Sequence, residues 1–170
     1  MRKKIVITGG IGYIGTELCK IYSGISWNNE ILVIDNRFIS ERVNQLRNWG
    51  IDFVHGDILD KNLVNKYCKD SDIVHHLAGI TDVPRVKNES SDDKDSKIKL
   101  VAEEGTQNIL DAISDKCKII FPSTHVVFEG IGKVKNDILE EEDTKPILSY
   151  ATSKASNEKQ LKNSGKNYII

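Results

Sequence analysis

A doubly wound α/β domain with a parallel sheet is the fold this sequence predicts, on three observations. Short apolar runs rich in β-branched residues recur at residues 5–7, 31–34, 51–54, 73–77, 118–121 and 168–170. The segments between them are long enough for crossover helices, so the order reads as successive βαβ units with helices on both faces, a three-layer αβα arrangement. The first run also ends in a glycine cluster that opens an amphipathic stretch, and 170 residues suit one domain.

The first strand is Ile5-Val6-Ile7, bounded by Arg2-Lys3-Lys4 and by glycines. After it, Ile14, Leu18, Ile21 and Tyr22 fall at the spacing of one helical face. The turn between them, Thr8-Gly9-Gly10-Ile11-Gly12-Tyr13-Ile14-Gly15, spaces its glycines as G-x-x-G-x-x-G. Gly9 permits the tight turn, Gly12 lets backbone approach a phosphate, and Gly15 lets helix and strand pack closely. The helix N-terminus, at Tyr13 and Ile14, offers unpaired N–H groups and partial positive charge, so the turn predicts a dinucleotide pyrophosphate site. The second strand ends in Asp35, 20 residues beyond Gly15. A carboxylate there accepts the ribose hydroxyls and repels a 2′-phosphate, which favours NAD over NADP. Arg37 tempers this, because a guanidinium is a 2′-phosphate ligand.

Composition excludes several classes. A net charge of −1 without a dense basic stripe excludes a nucleic-acid partner. Cys19, Cys68 and Cys117 lie far apart with no C-x-x-C pair, which suits a reducing cytoplasm and offers no zinc site. No apolar stretch approaches the ~20 residues that span a bilayer. Segment 81–97, with Pro84 and the polar run from Asn88 to Asp95, reads as a solvated loop rather than a metal-binding cluster. A helix should follow it, with Ile98, Val101, Ala102, Gly105, Ile109, Ala112 and Ile113 on one face. Gly105 in mid-helix predicts close approach of another backbone. Trp27 and Trp49 read as packing residues, and His75-His76 as strand residues facing opposite ways rather than a metal pair.

Tyr150-Ala151-Thr152-Ser153-Lys154 places a phenol and an ammonium four residues apart, on one side of a helix. The ammonium should lower the phenol pKa, letting Tyr150 exchange a proton with a substrate hydroxyl while hydride moves at the same carbon. The fifth strand runs into Pro122-Ser123-Thr124, at the carboxyl end that faces the ligand crevice. Ser123 and Thr124 are both candidates to bond the reacting oxygen.

These motifs together resemble the extended short-chain dehydrogenase/reductase family, in particular its NAD-dependent epimerase/dehydratase group acting on nucleotide sugars. The resemblance covers the whole chain: TGGIGYIG at 8–15, Asp35-Asn36, Gly56-Asp57-Ile58, His76-Leu77-Ala78-Gly79, Gly105 to Leu110, residues 121–128, and YATSK. It implies a Rossmann fold, Asp57 and Ile58 at the adenine, Leu77, Ala78 and Gly79 along the cofactor near the nicotinamide ribose, and Lys154 on that ribose. It also implies a reaction centre of Ser123, Thr124, Tyr150 and Lys154, with Thr124, Tyr150 and Lys154 catalytic, and a homodimer through helices near 95–113 and 149–164 whose partner supplies Gly105 with its neighbour. The expected activity is a nucleotide-sugar epimerase; the alternatives are a keto-sugar reductase or dehydratase, and a cofactor-binding module without turnover. Three departures stand out. Ala102 occupies the place of the family's usual Asn, and His125 and Val126 replace the acid and base of the dehydratases. Third, the chain ends in what should be the sixth strand, so it is expected to be a truncated dinucleotide domain, 1–170, lacking the C-terminal substrate domain.

Overall fold

The computed structural model describes residues 2–81, 91–132 and 136–170. Its six strands are β1 (Lys4–Thr8), β2 (Glu30–Asp35), β3 (Asp52–His55), β4 (Ile73–His76), β5 (Lys118–Ile120) and β6 (Asn167–Ile169). They form one sheet, ordered β3-β2-β1-β4-β5-β6, with every pairing parallel. Chain order runs outward from β1 to β3, then returns to β4 on the other side, so the carboxyl ends of β1 and β4 flank the switch point where a crevice opens. This is a Rossmann fold.

The helices are α1 (Tyr13–Ser23), α2 (Ser40–Asn48), α3 (Lys61–Cys68), α4 (Asp92–Ala112) and α5 (Ser149–Asn163). Because neighbouring strand residues point to opposite faces, each central strand feeds two cores. Ile5, Ile7, Ile31 and Val33 join Cys19 of α1 and Leu46 of α2. Val6, Leu32, Ile34, Val74 and Ile119 join Val64 of α3, Ile109 of α4 and Leu161 of α5. Both faces are covered, which is why the strands read as unbroken apolar runs.

Four expectations need correction. The buried side of α1 carries Gly15 and Cys19, with Leu18 and Tyr22 packed beside them, whereas Ile14 and Ile21 are 61% and 74% exposed. Gly15 draws the helix start onto the glycine loop, and that contact, not the Ile spacing, sets the helix rotation. Second, the acidic run is not all loop: α4 begins at Asp92, with the Ser91 hydroxyl accepting from Lys94 N at 3.4 Å and Asp92, Asp93 and Asp95 in its first turn. Carboxylates there favour the positive end of the helix, an effect that outweighs their low propensity for helix interiors. The rest of that expected loop, residues 82–90 with Pro84, lies outside the described residues. Third, the close neighbour of Gly105 within the chain is not another backbone. A Cβ there would meet Ile58 Cδ1 at 2.3 Å, so the glycine makes room for a side chain of the same core. Last, Trp27 is 82% exposed and does not pack inside.

Candidate active site

The crevice begins at the glycine loop. Gly9 has φ +70°, and a Cβ on it would lie 2.7 Å from Ala78 N, so both its conformation and its neighbour at the end of β4 require glycine. Its N–H donates to Ile34 O at 2.8 Å, and Gly12 N–H donates back to Gly9 O at 3.0 Å, closing the turn. Gly12 caps α1, leaving the N–H groups of Tyr13, Ile14 and Gly15 as donors of the first turn without an i−4 acceptor. A Cβ on Gly12 would meet Gly9 O at 3.1 Å and the Arg37 guanidinium at 3.6 Å, so Arg37 reaches back over the loop from beyond β2. Gly15 would bring a Cβ to 2.6 Å from Gly10 Cα, which explains the tight seat of α1.

Asp35, 5% exposed, ties this loop to β2. Its Oδ2 accepts from Ile11 N at 3.2 Å, and its Oδ1 accepts from Arg37 N at 3.0 Å and Arg37 Nε at 3.4 Å. Arg42 donates to the Ile11 carbonyl from the other side. A carboxylate has about four acceptor positions, so Asp35 keeps one for a hydroxyl. Asn36 Nδ2 donates to Asp57 Oδ2 at 2.9 Å, while Asp57 Oδ1 accepts from Leu59 N at 2.9 Å. The Ile58 side chain is in the core, so what it offers the crevice is backbone. A bare helix start, a glycine cradle and a buried carboxylate with spare acceptor capacity fit a dinucleotide.

Beyond β4, Leu77 and Ala78 are half-buried and Gly79 is exposed. Ala78 N donates to Thr8 Oγ1 at 3.2 Å, and that hydroxyl also shares a 3.0 Å hydrogen bond with His76 Nδ1. His76 Nε2 and Thr106 Oγ1 are 2.9 Å apart, and Asn157 Nδ2 donates to Thr106 Oγ1 and to Ala102 O, each at 2.9 Å. Burial, with the Lys154 charge adding to it, pushes His76 down to about 3, so it stays neutral and uses one ring nitrogen as donor and the other as acceptor. This chain crosses from β1 through β4 to α4 and α5. Where the family's Asn was expected, the Ala102 carbonyl is met instead by an amide from α5.

The candidate reaction centre lies where β5 ends against α5. Glu129, in the 3-10 helix His125–Ile131, accepts from Ile147 N and Leu148 N at 2.6 Å each and so fixes the start of α5. Lys154 Nζ donates to Pro122 O at 2.8 Å and lies 4.2 Å from the Phe121 ring centroid and 6.0 Å from that of Tyr150. The two hydroxyls after β5 differ in whether a hydrogen remains to donate. Thr124 Oγ1 accepts from Val126 N at 3.3 Å, which leaves its O–H free to donate. Ser123 Oγ donates to Glu158 Oε1 at 2.5 Å, which uses its only hydrogen. His125 is exposed. The expected lowering of the Tyr150 phenol is not what this chain builds alone: burial pushes Tyr150 up from its usual value, and burial pushes Lys154 down to about 8 against the pull of Glu158. Desolvation outweighs an ammonium that is already committed to Pro122.

Four residues of this site escaped the sequence reading: His76 in its neutral role, Glu129, Asn157 and Glu158. Only Glu158 had a local signal, since it follows Lys154 by one helical turn and shares its face with Tyr150. The others act through contacts with distant segments.

Fold and site together define a dinucleotide-binding domain of the short-chain dehydrogenase/reductase kind, with a Tyr-x-x-x-Lys pair at its reaction end. Residues 6–169 match the 3-beta hydroxysteroid dehydrogenase/isomerase family, and the chain belongs to it. Its relatives include CDP-paratose 2-epimerase of Salmonella typhi, 32% identical over 143 residues, which cover 78% of this chain and 40% of that protein. UDP-N-acetyl-alpha-D-glucosaminuronate decarboxylase of Bacillus cytotoxicus is 31% identical over 156 residues, covering 91% of this chain and 44% of that one. Among solved structures, UDP-glucuronic acid 4-epimerase from Bacillus cereus, in complex with UDP-glucuronic acid and NAD, superposes with a TM-score of 0.79 at 26% identity, covering 98% of this chain and 55% of the other. The chain thus spans less than half the length of the two sequence relatives.

Proposed function

We propose that the chain is the NAD-binding and proton-transfer half of a nucleotide-sugar epimerase or closely related oxidoreductase. The observation that carries this is Lys154, held to Pro122 O at the end of β5, two residues before Thr124, with its ammonium 6.0 Å from the Tyr150 ring centroid. Asp35, Asn36, Asp57 and the backbone of Gly12, Tyr13 and Ile14 would hold the adenosine and pyrophosphate, and Leu77, Ala78, Gly79, Ser123 and Lys154 the nicotinamide side. Once bound, the oxidised dinucleotide supplies a hydride acceptor and a positive charge. Tyr150 takes the sugar hydroxyl proton and returns it, Thr124 donates to the same oxygen, and Lys154 holds positive charge near the phenol. Burial pushes Tyr150 up, and a bound dinucleotide would supply positive charge that favours the phenolate. Valine at 126 has no proton to give, so epimerisation or reduction is favoured over dehydration.

Several companion statements belong to this reading. No helix among the described residues is long and apolar enough to cross a membrane. With three free cysteines, all buried, this supports a cytoplasmic protein. A homodimer would form through α4 and α5, which are already joined by Asn157, by Gln160 Nε2 donating to Glu103 O at 3.0 Å, and by Ser156 Oγ donating to Glu103 Oε1 at 3.1 Å. Residues 1–170 would constitute one dinucleotide-binding domain, with the substrate contacts supplied elsewhere. A second reading, a binding module without turnover, is favoured by one observation, the raised Tyr150.

The test is Tyr150→Phe in the protein assayed on UDP-, CDP- and dTDP-hexoses, the nucleotides its relatives' names carry. Turnover should fall at least ~100-fold with NAD affinity little changed. Turnover unchanged by the substitution removes Tyr150 from the mechanism; no turnover by the unsubstituted protein on any of these sugars favours the binding module.

A further inference from the structure

Glu158 stands one turn beyond Lys154 and two beyond Tyr150 on α5, and its side chain is 14% exposed. One carboxylate oxygen takes the Ser123 hydrogen at 2.5 Å, and the other pairs with Lys162 Nζ at 3.4 Å. A carboxylate has no hydrogen to offer, so the direction of the Ser123 bond is fixed: the hydroxyl donates into the protein and can only accept from the crevice. Thr124, one residue later, accepts from Val126 N and keeps its own hydrogen, so it can donate into the crevice as Ser123 cannot.

We propose that Glu158 is a positioning residue of the reaction centre, which makes Ser123 an acceptor toward the crevice and holds the ammonium charge of Lys154. Resting on the oxidoreductase reading above, this assigns ligand chemistry to the two adjacent hydroxyls. Whatever faces Ser123 in the loaded site is a donor, a carboxamide N–H or a sugar hydroxyl, and whatever faces Thr124 is the oxygen on which negative charge develops. Exchanging those partners would set the Ser123 oxygen, which has no hydrogen left to give, against another acceptor.

The charge on Lys154 follows from its surroundings. The groups facing it are Phe121 and the Pro122 carbonyl at the end of β5, neutral His76 on β4, Tyr150 before it on α5 and Glu158 after it. Burial and the neighbouring charge act in opposite directions there: burial drives Lys154 down to about 8, and the Glu158 carboxylate opposes it. On the far side, Glu158 shares its charge with Lys162, whose side chain is 53% exposed, while Glu103 of α4 is occupied by Ser156. Lys162 therefore competes with Lys154 for one carboxylate.

The experiment is a ¹³C NMR titration of lysine Cε in the protein without added ligand, with the Lys154 signal identified through Lys154→Arg. Glu158→Gln should lower the Lys154 midpoint by roughly half a pH unit or more, and Glu158→Asp should restore most of it. Lys162→Ala, at an exposed position, should move the midpoint the other way, which keeps the test open if Glu158→Gln does not fold. A midpoint unmoved by Glu158→Gln, or by Lys162→Ala where Glu158→Gln does not fold, overturns the proposal. The titration requires neither cofactor nor turnover, so failure here is separable from failure to bind NAD, which would strike the functional reading instead.

Discussion

At the turn from β1 into α1 the chain holds its shape mainly with backbone, whereas at the meeting of β5 and α5 it does so with side chains. The glycine loop is closed by Gly9, Gly12 and Ile34 main-chain bonds and locked by the close pass of Ala78, with the buried Asp35 side chain tying it to β2. The reaction end hangs on Lys154 to Pro122, Ser123 to Glu158, Glu129 to the first turn of α5, and the neutral His76 that links both ends. A backbone site tolerates little change in conformation but much in surrounding chemistry. A side-chain site is the reverse, since each group can be retuned through a neighbour.

The difference can be broken most severely at Gly9. Gly9→Val forces a β-branched residue into φ +70° and against the Ala78 backbone, so it should cost about 3 kcal/mol or more of stability and abolish NAD binding. Near wild-type melting and binding would show that the loop is not rigid. Next comes the group that joins the two ends. His76 is neutral in the fold and gains a proton on unfolding once pH drops below its ordinary 6.5, so its stabilising contribution is complete above that pH and is lost as pH falls toward 3. The thermal midpoint should fall across this window, and fall less steeply in His76→Gln; His75, also lowered by burial, remains in both proteins and cancels in the comparison. Equal slopes would contradict a neutral, buried His76.

Smaller effects sharpen the contrast. Asp35→Asn removes the charge that repels a 2′-phosphate while leaving Arg37 beside it, so the ratio of NADP to NAD affinity should rise about tenfold, a matter of ~1.4 kcal/mol. An unchanged ratio in calorimetry would take cofactor choice away from Asp35. The least effect is expected at Gly105→Ala, where the gain in helix propensity of about 1 kcal/mol is set against displacing the far end of Ile58. Its melting temperature should shift by only a few degrees, and a large loss would mean that Ile58 has no room to move.

Those same residues show why some of the molecule was legible in the sequence and some was not. Apolar, β-branched runs mark strands, most plainly where both faces are buried, so all six expected runs overlap their strands to within about one residue at either end, and the glycine spacing and the Asp that closes β2 were as plain. Helix rotation was misjudged at α1, because Ile14 and Ile21 sit at helical spacing yet face outward once Gly15 has chosen the contact. The start of α4 was hidden because Asp residues resemble a loop until Ser91 caps them. In the site, the spacing of Tyr150 and Lys154 is local and could be read, but the bonding of Ser123 and Thr124 depends on Glu158 and Val126, and the Ala102 carbonyl is met by Asn157 from 55 residues away.

The central claim is that the crevice at the ends of β1, β2 and β4 takes NAD. Calorimetric titration of the chain with NAD and with NADP tests it most directly. NAD should bind with a dissociation constant well below millimolar and more tightly than NADP, and Gly9→Val should remove the heat. The absence of binding by either dinucleotide up to millimolar concentration, in a protein that melts cooperatively, would contradict it.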